Sequence, residues 1–116
     1  MEQATATSDT GRMWRVEIAT TRRERRRGLL GRATLDPGCA LLLRRTRSVH
    51  TIGMRFAISV AWLDRDGTAV QVARLAPGRV SAPTWRSRDA LECADGSAPA
   101  AGESLRFDAP RFEAPL

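Results

Sequence analysis

The chain has 116 residues, 42% of them hydrophobic, and its 19 basic and 13 acidic residues leave a formal net charge of +6. That length corresponds to one domain with a core large enough to need neither metal nor disulfide, and no apolar run approaches the roughly 18 residues of a membrane span. The N-terminus is polar, with Glu2 and Asp9 and no apolar stretch, which argues against a secretory signal and makes a cytoplasmic location the expectation.

In chain order, residues 1–12 read as a disordered leader, 13–108 as a single β-rich domain and 109–116 as a Pro-containing tail. Trp14-Arg15-Val16-Glu17-Ile18 alternates large apolar and charged residues, the period of a half-buried strand. Thr21 and Glu24 have the spacing of a capping box, predicting a short helix through Arg27 that Gly28 weakens or ends. Leu29 and Leu30 then pack inward. Asp36-Pro37-Gly38 is a turn, and Cys39 to Leu43 a short apolar strand. Ile58 to Leu63 and Ala69 to Leu75 read as two strands joined through Asp64-Arg65-Asp66-Gly67, a hairpin signal. Residues 76–84 form a loop, and Ala90 to Ala94 and Ser104 to Phe107 are two further short strands. Several short strands and one short N-terminal helix predict a mainly β fold, a compact antiparallel sandwich or barrel.

All 19 basic residues are arginine, and the chain lacks Lys, Asn and Tyr. Such a bias reflects GC-rich coding, so each arginine carries less functional weight than its charge suggests. The distribution is more telling. Residues 12–55 hold 12 Arg against three acids, whereas residues 56–116 hold 7 Arg against 8 acids. A positive field over the first half favours anionic ligands or partners, against the plainer reading of a solvated basic face.

His50 is the sole histidine, and imidazole can act as base, acid or metal ligand near neutral pH. Ser48, Thr51 and Arg55 surround it with hydroxyls and a guanidinium, and Arg44, Arg45 and Arg47 just upstream are placed to form a basic rim. Trp85, in a loop, walls a pocket or caps one end of the core. The bland alternative for His50 is a structural hydrogen bond that locks an irregular connection. A catalytic triad of Ser48 or Ser81 with His50 and Asp64 lacks any nucleophile-elbow signature. Cys39 and Cys93 fit no metal or redox spacing and read as inert thiols. One His and two scattered Cys make a zinc site improbable, and Asp64-x-Asp66-Gly67 lacks the later positions of a calcium loop, so no metal or cofactor is expected.

The string Ser48-Val49-His50-Thr51-Ile52-Gly53-Met54-Arg55-Phe56, continuing to Ile58, Val60, Leu63 and Asp64, resembles the signature of domain-of-unknown-function family 192. The segment Gly28-Leu29-Leu30-Gly31-Arg32, the Asp66-Gly67 turn and Leu91-Glu92 resemble it too, so the similarity spans about residues 14 to 108. The resemblance implies a small sandwich of jelly-roll-like character and no particular activity. Ala57 stands where members often carry Pro, and Ser59 where they often carry Asp. That substitution removes a ligand or base, or replaces one structural acceptor by another.

The expected function is a binding module that takes an anionic small molecule or an acidic protein surface through the His50–Arg55 loop. Two alternatives stand beside it: a hydrolase-like enzyme with His50 as general base, and a nucleic-acid accessory protein using the arginines of Arg22–Arg27, which the helix spreads around its circumference.

Overall fold

The computed structural model describes residues 1–108; the tail expected at 109–116 lies outside the described residues. Seven strands and one helix follow in the order β1 (Glu2–Ser8), β2 (Met13–Ala19), α1 (Arg22–Arg27), β3 (Cys39–Leu43), β4 (Ile58–Leu63), β5 (Ala69–Leu75), β6 (Asp89–Ala94) and β7 (Leu105–Asp108). They form one sheet in the order β5-β4-β6-β3-β2-β1-β7. The mainly β architecture expected from the sequence is therefore present, as a single curled sheet of half-barrel form. Every neighbouring pair is antiparallel except β2 and β3, which run parallel and are joined by the crossover that contains α1.

The curl brings the two sheet edges together. Ala69 N–H donates to the Glu103 carbonyl at 2.8 Å and Leu105 N–H to the Gly67 carbonyl at 2.9 Å, so the start of β5 meets the start of β7. Thr68 and Ser104 form an isolated bridge there, with their hydroxyls 2.9 Å apart.

One expectation is corrected. The supposed disordered leader contains β1, which pairs along its length with β2 and also with β7. Ala4, Ala6 and Ser8 point inward and are buried. Their small side chains give a period-2 pattern too weakly hydrophobic to stand out in the sequence, yet main-chain pairing on both sides fixes the strand.

Both faces of the sheet centre are covered. The inner face packs Trp14, Val16, Leu42, Leu63, Leu91 and Leu105 inside the curl. The outer face carries Leu41, Leu43, Ile58, Val60 and Trp62, covered by Leu29 from the crossover and by Val49 and Met54 from the β3–β4 connection. Hence every residue of β4 and β6 is buried. A register shift between Trp62 and Leu63 resets the alternation of β5, so that Ala69 and Val72 pack inward while Val70 and Ala73 pack outward.

Candidate functional site

The crossover and the β3–β4 connection meet over the outer face, and a small cleft of about 60 Å³ lies between them. Arg25, Arg26 and Arg27 line it from α1, Ser48 and His50 from the opposite side, and Gly28 and Glu92 complete it.

The helix forms as its sequence directs. Glu24 N–H donates to Thr21 Oγ1 at 3.1 Å, and Glu24 Oε1 accepts from the N–H groups of Thr21 at 3.1 Å and Thr20 at 3.2 Å. These backbone bonds hold the Glu24 carboxyl below its ordinary range. The one acid of the helix is thus committed to the cap and not to its arginines. No α1 residue is buried, so five arginines stay at the surface. Arg25 Nη1 folds back to the Thr20 carbonyl at 3.1 Å.

The other wall is a short ribbon. Thr84 N–H donates to the Arg47 carbonyl, Ser81 N–H to that of Val49 and Thr51 N–H to that of Arg79, so residues 47–51 run antiparallel to 79–84. Alternation along the ribbon buries Val49 and Thr51 and exposes Ser48 and His50. Thr51 is fully buried; its hydroxyl donates to the Ala76 carbonyl at 2.6 Å and accepts from Arg79 N–H at 2.9 Å. That side chain holds the neighbouring loop. Ser48 Oγ donates to the Ser81 carbonyl at 2.7 Å, and Arg47 Nε to that of Ser87 at 2.9 Å.

The remaining sequence candidates divide. Arg44 Nε lies 3.4 Å from Asp89 Oδ1, whose other oxygen is 3.4 Å from Arg88 Nε, at the mouth of the half-barrel. Arg45 takes a positive φ of 53° and its N–H donates to Asp89 Oδ1 at 3.0 Å. Arg44 and Arg45 also share an adjoining hollow with Thr20 and Arg25, so Arg25 belongs to both openings. Arg55 is exposed and lines neither. Trp85, 75% exposed, neither caps the core nor walls the cleft.

Asp64 Oδ1 accepts from Asp66 N–H and Thr68 N–H, closing the β4–β5 turn, and with Ser48 tied to Ser81 no Ser-His-Asp relay assembles from these residues. Ser59 Oγ accepts from Gly96 N–H at 2.9 Å, the structural role of an acceptor at that position. Cys39 and Cys93 are free, and burial pushes the Cys93 thiol up to about 12. Among the described residues no three His, Cys, Asp or Glu side chains gather as metal ligands.

Sequence reading missed Glu92. It lies on the outer face of β6, level with Leu41 and Val60, and is only 3% exposed. Among the described residues its Oε1 has no hydrogen-bond partner. Burial pushes the carboxyl up to about 7, opposed by the nearby Arg32 guanidinium. The available signal was a lone acid inside the apolar run Ala90-Leu91-Glu92-Cys93-Ala94, where a charge is costly unless it has a use.

The model of family DUF192, described as an uncharacterized ACR, matches residues 4–104. Among curated proteins none matches the chain. Two solved structures are similar. One is a candidate transcription regulator from Sinorhizobium meliloti 1021, 20% identical, with a TM-score of 0.76, 91% of this chain and 92% of that chain being covered. The other, from Novosphingobium aromaticivorans DSM 12444, is a protein of unknown function, 18% identical with a TM-score of 0.78 over 90% of this chain and 83% of that chain. At these identities the likeness establishes the fold.

Proposed function

The chain belongs to family DUF192, and from that premise we propose that it is a binding module for a small anionic molecule, held in the cleft between α1 and Ser48–His50. The observation that supports this reading is the meeting of Arg25, Arg26 and Arg27 with the exposed Ser48 and His50 around one opening, while Glu24 is occupied by the helix cap. Arginine supplies charge-assisted, bidentate contacts to carboxylate or phosphate, and His50 supplies an orientable hydrogen bond. Arg44 and Arg45 extend the positive surface through Arg25.

A thermal-shift series with acetate, glycolate, propyl phosphate and glycerol 3-phosphate tests it on wild type, Arg26→Ala, His50→Ala and Arg55→Ala. Selective binding to the folded state must stabilise it, by about 2.7 kcal/mol at a hundredfold excess over Kd. A shift kept in wild type and Arg55→Ala but lost in Arg26→Ala and His50→Ala supports the cleft. No shift with any of the four removes the small-anion reading. Retention on heparin that needs the α1 arginines and disappears with salt points to a nucleic-acid or acidic-surface partner instead.

A further inference from the structure

We propose that Glu92 contacts the ligand directly, and that the ligand is a small anion bearing a hydroxyl group, either a hydroxycarboxylate or a polyol phosphate. The inference rests on the anion-binding reading and adds the class of molecule.

Three observations carry it. First, Glu92 is 3% exposed and its Oε1 has no hydrogen-bond partner among the described residues, a condition that folded proteins rarely leave unanswered. Second, the residue beside that oxygen is Gly28, where an added Cβ would stand in van der Waals contact with Oε1, 3.6 Å away. Gly28 closes α1 with a φ of 50°, so the same glycine ends the helix and, lacking a side chain, sets no Cβ against the carboxyl. Third, the cleft above is rimmed by arginines and encloses about 60 Å³, room for a short polar arm rather than a ring system.

These features divide the ligand into two parts. Its negative charge belongs at the rim with Arg25, Arg26 and Arg27, and the group that reaches the floor must satisfy Glu92. A second carboxylate there meets the Glu92 charge, and an ammonium must pass the arginines. A hydroxyl both donates and accepts, so it pairs with Oε1 whether Glu92 is ionised or protonated. The hydroxylated anion is therefore the class that fits both ends.

The test compares matched pairs by calorimetric titration: glycolate against propionate, and glycerol 3-phosphate against propyl phosphate. Wild type is expected to bind the hydroxylated member about tenfold more tightly, the worth of one well-made hydrogen bond to such a group. The pair that shows the preference decides between carboxylate and phosphate. Glu92→Met keeps the volume without the polar atoms; it should bind both members of that pair with equal, weak affinity. Glu92→Gln, which still donates and accepts, should keep the preference. Equal binding of both members by wild type, or a preference that survives Glu92→Met, overturns the contact and leaves Glu92 with solvent alone. If none of the four anions binds, the anion reading fails and takes this inference with it.

Discussion

The carbonyl oxygen of Leu105 occupies the space in which a Cβ on Gly67 would have to stand, and Leu105 N–H donates to the Gly67 carbonyl. Gly67 also takes a φ of +83°, which L side chains rarely adopt. Backbone geometry and steric room thus select glycine where the sheet closes on itself.

Gly67→Ala is accordingly expected to destabilise the protein by about 2 kcal/mol or more, since both strain and displacement of β7 contribute. Thermal denaturation should show a midpoint lower by roughly 10 °C. A change of a degree or less means that β5 and β7 are not held together at this point.

Thr51→Val should cost about 1–3 kcal/mol, because its hydroxyl serves the Ala76 carbonyl and the Arg79 N–H at a fully buried position. Urea denaturation measures this directly. The loss should fall on stability, with any anion binding retained once the variant is folded.

His50→Ala should leave stability within about 0.5 kcal/mol, because the imidazole is on the exposed side of its ribbon. A midpoint several degrees lower would return His50 to the structural role weighed from its sequence. An unchanged midpoint makes the variant a clean probe of binding.

Glu92 gives the pH dependence a definite sign. Its folded value, about 7, lies above its ordinary value of 4.5, so between those limits the folded state binds more protons than the unfolded state. Stability should therefore fall as pH rises from about 4.5 to 7, by a total on the order of 3 kcal/mol, and level off above. Glu92→Gln should abolish this component and be the more stable protein at pH 8. Parallel pH–stability curves for the two proteins would rule out a buried, uncompensated carboxyl.

The limits of β4 and β5, the helix with its cap, and the hairpin turn were all legible, because local chemistry decides each of them. Apolar runs mark β4 and β5, Thr21 and Glu24 cap α1 with both bonds of the box, and Asp64 organises its own turn. β1 was not legible, since alanine and serine give main-chain pairing no hydrophobic signature. The parallel pairing of β2 with β3 depends on which face the crossover covers, a tertiary fact. The site was half legible. Ser48 and His50 were named, and the α1 arginines were read as a separate feature that the fold brings against them. Arg55 and Trp85 lie beyond the ends of the ribbon, exposed and outside the cleft lining. Glu92 needed knowledge of what lies above β6.

The crossover between the parallel strands has a kinetic consequence. α1 has six residues and buries none of them, so its attachment to the outer face rests chiefly on Leu29 and on the leucines that follow. The central strands beneath it are hydrogen-bonded on both sides and buried throughout. Lifting α1 together with Leu29 therefore breaks no rung of the sheet ladder, whereas opening β6 dismantles the whole core. Amide hydrogens of Arg25 and Gly28 should exchange with solvent deuterium far sooner than those of Leu91 and Cys93. Glu92 sits on the slow layer under the fast one, and local breathing of its cover sets how often solvent or a small molecule reaches it.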